Sequence, residues 1–232
     1  MNVNTGGSEM SYMKNSRRKK DLAITGRMAK WYDKNTRTSR LAEMRRYADL
    51  VSGCTSSEAL VLEVAPGPGY LSIELAKRGF SVTGIELSPD FVEIEKQNAK
   101  NEGVNVDFKQ GNASALPLRD GAFDFIICSA AFKNFSEPLV ALEEMYRVLK
   151  PDGTALILDM NRNNTKEDID KEMQKNNMKG FDRWFVKLSF KTFLRKGAYT
   201  REEFENLIAQ TAFSRHEIKK DGIGFQVWMY KR

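Results

Sequence analysis

Two carboxylates and two glycines hold the chemistry that can be read first in this chain. The run Val61-Leu62-Glu63-Val64-Ala65-Pro66-Gly67-Pro68-Gly69-Tyr70 sets Glu63 four residues before Gly67. Gly67 and Gly69 lack a Cβ, so a ligand can approach the main chain there. A second carboxylate, Glu86, follows 17 residues after Gly69 and closes the apolar run Ser81-Val82-Thr83-Gly84-Ile85. An acidic side chain about 20 residues beyond a Gly-rich turn suits the two hydroxyls of a ribose. The third glycine of the dinucleotide fingerprint is missing, because Ser72 stands in its place. Glu63, beside the turn, suits instead a ligand with a cationic amino group. A solvated strand end remains the plain alternative for Glu86, and an ordinary strand-to-helix turn for the two glycines.

Those residues need a strand–turn–helix frame. Residues 60–64 read as a strand buried on both faces, and 71–78 as the helix after the turn, its N-terminus facing a crevice. Residues 81–87 form the second strand. Ser88 and Pro89 then open a helix as N-cap and first helical residue, running to about Asn101. Residues 104–110, 123–129 and 153–160 supply strands three to five. Thr200 with Glu203 makes a capping box for a helix to about Gln210. Residues 213–220 and 224–230 alternate as a hairpin around Asp221-Gly222. Ahead of the first strand, 21–35 and 38–52 read as two helices, with Trp31-Tyr32-Asp33 near their junction.

Through the run from Glu63 to Gly69 the chain resembles the class I S-adenosylmethionine-dependent methyltransferases, whose first motif is an acidic residue followed by a Gly-rich loop. That cofactor has a cationic amino group, which NAD lacks. Phe132-Lys133-Asn134-Phe135, followed by residues 139–149 and by Lys150-Pro151-Asp152-Gly153, is similar to the quinone-biosynthesis C-methyltransferases and their small-molecule relatives. The likeness covers roughly residues 55–160 and 198–232. It implies an α/β fold: a Rossmann-like, doubly wound, seven-stranded sheet ending in an antiparallel hairpin, with N-terminal helices and a helical insertion after strand five.

The resemblance also implies S-adenosylmethionine as cofactor. Glu63 then faces its amino group, Gly67 and Gly69 the methionine tail, Glu86 the ribose, and Asn112 with Ala113 the adenine. Ala65, Tyr70, Leu87 and Ser129 complete that site. Asn112 keeps the acceptor oxygen of the family's aspartate at this strand tip, although Asn is also common in turns. Ala65 stands where many members carry glycine, which implies a slightly crowded turn. Phe132, Asn134 and Trp184 are the candidate acceptor contacts. Tyr32 and Lys133 are the candidate bases, with a packing role open for Tyr32. An acceptor already ionised, or acidic at carbon, needs no base.

Composition narrows the classes. A chain of 232 residues with 41% apolar content fits one domain with one sizeable core. No apolar run approaches a membrane span, and residues 1–20 show no signal-peptide core. Cys54 and Cys128 lie far apart, Cys128 inside an apolar run, as in a reduced cytoplasmic protein. The single histidine, His216, argues against a histidine-rich metal site and most His-based triads, so no metal is expected. The net charge of +6 is uneven: residues 1–20 carry +4 and 161–200 carry +5, leaving −3 elsewhere. Residues 1–20 read as a solvated, disordered basic tail and 21–232 as one methyltransferase domain.

The insertion, 161–199, has Phe181, Trp184, Phe185 and Leu188 as an apolar stripe, with Arg183, Lys187 and Lys191 beside it. Three readings compete: a helix packed over the core edge, a lid on an aromatic acceptor pocket, and a basic amphipathic helix on a membrane surface. Nucleic-acid binding is weaker, since no recognised RNA module accompanies these residues. The motifs for methylating exocyclic amino groups and cytosine C5 are absent. The resemblance to the small-molecule relatives implies a small-molecule acceptor, its C, O or N atom open. The rival readings are a methyltransferase acting on RNA or protein, and a non-catalytic S-adenosylmethionine-binding module. Oligomeric state is not legible.

Overall fold

A computed structural model describes residues 21, 23–175 and 197–232. The readings of the 1–20 tail and of the stripe around Trp184 lie outside the described residues. Strands β1 (Leu60–Val64), β2 (Ser81–Glu86), β3 (Asp107–Gln110), β4 (Phe123–Ser129), β5 (Leu149–Met160), β6 (Arg215–Asp221) and β7 (Gly224–Tyr230) form one sheet. Their order is β3-β2-β1-β4-β5-β7-β6. The first five run parallel, and β7 lies antiparallel to both of its neighbours. The expected α/β sheet with its closing hairpin is what the chain builds.

Helices α1 (Gly26–Ser52), α2 (Tyr70–Ala76), α3 (Pro89–Asn101), α4 (Pro138–Val148), α5 (Lys166–Lys175) and α6 (Arg201–Ile208) accompany the sheet. Alternation along β1 sets the two layers. Val61 packs with Met44, Val51 and Leu71 from α1 and α2. Leu62 and Val64 pack with Leu142, Met145 and Phe204 from α4 and α6. Each such aliphatic side chain, fully enclosed, contributes about 1.5–3 kcal/mol, so β1 is a rigid support for whatever stands at its tip.

Four local expectations are corrected. The two N-terminal helices are one, α1. No Gly or Pro interrupts residues 35–38, and the polar side chains there bond within the helix: Thr36 Oγ1 donates to Tyr32 O at 2.9 Å, and Asn35 Nδ2 to Trp31 O at 2.7 Å. β3 starts only at Asp107. β5 starts at Leu149, so Lys150-Pro151-Asp152-Gly153 is a bulge within the strand: Leu149 pairs with Phe123, and pairing resumes at Thr154 with Phe125. The helix after the glycine turn is shorter than expected and ends at Ala76.

The hairpin turns at Gly222, whose φ is +57°. Cys128 is buried, and His216 lies exposed on β6. An isolated bridge pairs Asn161 with Tyr199, and Arg162 N donates to Tyr199 O at 3.0 Å, joining the two ends of the insertion. Among the described residues no helix is long and apolar enough to cross a membrane.

Candidate cofactor site

The tips of β1 and β2 carry the site. Ala65 N donates to Ile85 O at 2.8 Å, which fixes where the chain leaves the sheet. Gly67 has φ +59°, and a Cβ placed on it would meet nothing within 4 Å, so its outer face is open. Gly69 has φ +79°, and a Cβ there would lie 2.7 Å from Glu95 Cβ. The first glycine leaves room for a ligand, and the second allows α3 to pack close.

Ala65 itself has φ +59°. The expected crowding therefore takes the form of backbone strain, since the left-handed region costs an L-residue about 1–2 kcal/mol. Ala65→Gly relieves this, offset by about 0.4–1 kcal/mol from the freer unfolded chain. The expected result is a Tm raised by about 1–3 °C. A lower Tm in thermal unfolding would show that the Ala65 methyl group contributes packing larger than the strain.

Glu86 is 7% exposed. Its Oε2 accepts from Gly67 N at 3.0 Å and its Oε1 from Ser88 N at 2.9 Å. A carboxylate has about four lone-pair sites, so two remain, beside the open face of Gly67. Burial raises its pKa against the pull of those backbone donors. Glu63, 2% exposed, pairs in register with Gly84, just behind Glu86 on the neighbouring strand. Ser72 Oγ donates to its Oε2. Burial pushes the Glu63 carboxyl up to about 7, opposed by the Ser72 hydrogen bonds and Arg40, and assisted by Glu86. The two carboxylates thus share one edge of the sheet.

A polar network holds the turn against α1. Tyr70 Oη is 2.7 Å from Asp33 O and 2.8 Å from Asp33 Oδ1. Asn98 Nδ2 donates to Asp33 Oδ1 at 3.0 Å and to Pro68 O at 2.9 Å. Tyr70 is therefore pinned to α1 by its hydroxyl. Tyr32 Oη accepts from Arg40 Nη1 at 3.1 Å, and its ring meets Phe91 edge-on. Glu95 lies beneath the turn, fully buried, and neither of its carboxyl oxygens has a partner among the described residues. Burial, with Glu86 and Glu63 nearby, pushes it up to about 10.

Next to Glu86 a cleft opens between Ala65, Ile85, Leu87, Gly111, Asn112, Ala113 and Phe135, with Asp21 at its rim. Asn112 is where the sequence put it, but its atoms point otherwise than expected. Its Oδ1 accepts from Ser114 N at 2.9 Å, closing its own turn, and its Nδ2 donates to Asp21 Oδ2 at 3.0 Å. Ser129 stands at the tip of β4 with a buried Oγ that has no partner among the described residues. A wider hollow lined by Ser81, Thr83, Asp107 and Phe123 sits at the starts of the strands, opposite the carboxyl edge where such sheets bind ligands.

The expected acceptor contacts spread apart. Phe132 is fully buried, stacked on Phe204 at 5.6 Å and packed on Phe135 and Tyr199, each at 5.4 Å. It supports the wall that Phe135 and Tyr199 present. Asn134 is exposed. Lys133 Nζ, the candidate base, donates to Asp159 Oδ1 at 3.0 Å and to Ala130 O, and these two contacts brace the loop.

Asp21, Asp33, Asn98 and Glu95 were not singled out by sequence reasoning. A signal existed for Glu95 and Asn98: they share the buried face of α3 with Phe91, Val92 and Ala99, so a polar residue on that stripe marks the helix as more than packing.

The orphan Ser129 hydroxyl, the open face at Gly67 and the spare acceptor positions on Glu86 fit a nucleoside carrying an amino-acid tail. An open α/β sheet with a glycine turn after its first strand and a carboxylate at the tip of its second defines a nucleoside-binding protein. The family described as a methyltransferase domain matches residues 62–157. Demethylmenaquinone methyltransferase of Thermus thermophilus is 38% identical over 101 residues, 43% of this chain and 46% of the relative. 2-Phytyl-1,4-naphtoquinone methyltransferase of Nostoc sp. is 30% identical over 152 residues, 62% of this chain and 66% of that one. The chain spans about half the length of the curated relatives it matches. A crystal structure of a proposed S-adenosylmethionine-dependent methyltransferase from Methanococcus maripaludis superposes with TM-score 0.72 at 25% identity, covering 88% of this chain and 91% of that one. This chain belongs to the class I S-adenosylmethionine-dependent methyltransferases.

Proposed function

We propose that the protein binds S-adenosylmethionine at the tips of β1 and β2 and methylates a small-molecule acceptor of the quinone type. The observation that carries this reading is Glu86, held by Gly67 N and Ser88 N with two acceptor positions left beside the open turn. The acceptor class rests on the relatives from Thermus and Nostoc, whose names specify quinone methylation. The half-buried rings of Phe135 and Tyr199 support it, since they offer flat apolar walls to an aromatic ring.

Bound S-adenosylmethionine supplies an electrophilic methyl group on a cationic sulfur. The chain's work is positional. Glu86 anchors the ribose, and the main chain at Gly67 lies along the tail. Glu63 meets the cationic amino group, and Leu87 and Ala113 flank the base. Phe135 and Tyr199 exclude water from the approach of the acceptor. An ionised ring hydroxyl on the acceptor makes a base on the protein unnecessary. Peripheral membrane contact, which would bring a lipophilic acceptor within reach, belongs to the insertion. A cytoplasmic location fits the two unpaired cysteines, Cys54 and Cys128.

The test is titration with S-adenosylhomocysteine by calorimetry, followed by a methyl-transfer assay on a reduced naphthoquinone. A cationic amino group selects the ionised form of Glu63, whose carboxyl is pushed up to about 7. Below that pH a proton must leave before binding. Affinity is therefore expected to rise about tenfold between about pH 6 and 8 and then level off. Glu63→Gln removes the slope and weakens binding at the upper end by about ten- to a hundredfold. A pH-independent affinity in the parent protein sinks the role of Glu63. Failure to bind at all sinks the function.

A further inference from the structure

We propose that Asp21 reads the nucleobase, its carboxylate accepting a hydrogen bond from the exocyclic amino group of an aminopurine seated in the cleft of Leu87, Ala113 and Phe135. This rests on the nucleoside reading of the site given above. A ribose held by Glu86 would have this cleft beside it for its base, and Asp21 is among the residues that line it. The walls are apolar and select for a flat ring without reading its edge. The edge must be read by a polar group: the neutral Asn112 Oδ1 has one of its two lone pairs committed, while Asp21 is charged and keeps a lone pair on each oxygen. Asn112 Oδ1 accepts from Ser114 N, and Asn112 Nδ2 donates to Asp21 Oδ2. Reversing the amide would set its carbonyl against the Asp21 carboxylate and its NH2 against the Ser114 N–H, so the neighbours fix its orientation.

Asp21 is held for this task. Its Oδ1 accepts from Ser136 N at 2.9 Å and its Oδ2 from Asn112 at 3.0 Å, which leaves each oxygen a further lone pair. The segment behind it is tied to the opening of α3. Ser88 Oγ donates to Ile24 O at 2.5 Å, and Gly26 N donates to Asp90 Oδ2 at 2.9 Å. Partial burial works to raise the carboxyl, but the bonds from Ser136 and Asn112 outweigh it and hold it below the usual range. An ionised carboxylate accepts hydrogen bonds and cannot donate them. It therefore favours a base with an amine at this edge over one with a carbonyl, which would face it oxygen to oxygen.

Calorimetry with two ligands tests this: S-adenosylhomocysteine, with the amine, and S-inosylhomocysteine, with a carbonyl in its place. The parent protein is expected to prefer the first. Asp21→Ala is expected to weaken the adenosyl ligand about tenfold and to leave the inosyl ligand within about twofold. Asp21→Asn, which keeps the shape but offers one acceptor oxygen, is expected to fall between, and it serves if the alanine variant does not fold. Tighter or unchanged adenosyl binding in either variant would show that Asp21 merely plugs the cleft, and overturns the assignment. An equal loss for both ligands also overturns it, since that marks a general support. A parent protein that binds neither ligand overturns the nucleoside reading and this assignment with it, an outcome distinct from the other two.

Discussion

Glu86→Ala is expected to lose both the cofactor and a measurable part of the fold. The side chain satisfies two backbone donors, Gly67 N and Ser88 N, in a place that is 7% exposed. Removing it leaves the buried Ser88 N–H without a partner, at about 1–3 kcal/mol before relaxation, and the part-buried Gly67 N–H without its tether at a smaller cost. Part of that is offset, because burial already disfavours the charge on Glu86. A net loss of about 2 kcal/mol corresponds to a Tm lower by about 4–8 °C for a chain of this size. The effect on ligand is larger. Two charge-assisted bonds to the ribose disappear, and the turn that shapes the tail site loses its tether, so affinity for S-adenosylhomocysteine is expected to drop at least about a hundredfold. Glu86→Gln separates the two effects: its amide nitrogen faces one backbone N–H, so the fold suffers while one acceptor survives. Binding in Glu86→Ala within threefold of the parent would remove the ribose from this residue.

Glu95→Met is expected to stabilise the protein, and more so as the pH rises. Glu95 is fully enclosed, its oxygens have no partner among the described residues, and its carboxyl is pushed up to about 10 by burial and by Glu86 and Glu63. In the unfolded chain the group titrates near its ordinary value of about 4.3. A native state that holds its proton more tightly than the unfolded state loses stability with rising pH. The term is therefore fully present below about pH 4, and is lost at about 1.4 kcal/mol per pH unit above it, until the folded pKa is passed. Methionine has similar length and nothing to ionise, so it escapes the slope. Urea unfolding should show a gain at pH 8 that exceeds the gain at pH 5 by about 4 kcal/mol, three pH units at that slope. Equal gains at both values would mean that Glu95 does not titrate between them, and the account of its burial would be wrong.

What the sequence revealed and what it hid follows from how local each feature is. The β1 run, the glycine turn and the Ser88-Pro89 helix start are set by residues within a few positions of one another. So is the capping box, in which Thr200 Oγ1 accepts from Glu203 N and Glu203 Oε2 from Thr200 N. All stand as read. The hidden parts depend on distant partners. The unbroken α1 is held by Asp33 against Tyr70 and Asn98, which lie 37 and 65 residues away. Lys133 is bound to Asp159, 26 residues on, so its type suggests a base and only its partner shows the brace. Asp21 and Asn112 are 91 residues apart, and no periodicity connects them. Strand five reads as starting only at 153, because Pro, Asp and Gly at 151–153 mark the end of a strand as readily as a bulge within one.

The pairing of Asn161 with Tyr199 means that the sheet meets the intervening segment through a closed joint. The entropic cost of closing a segment between two such anchors grows slowly, by about 0.6 kcal/mol for each doubling of length. A segment joined in this way can change in length while the tips of β1 and β2 keep their geometry, because the joint at Asn161 and Tyr199 closes it off from them.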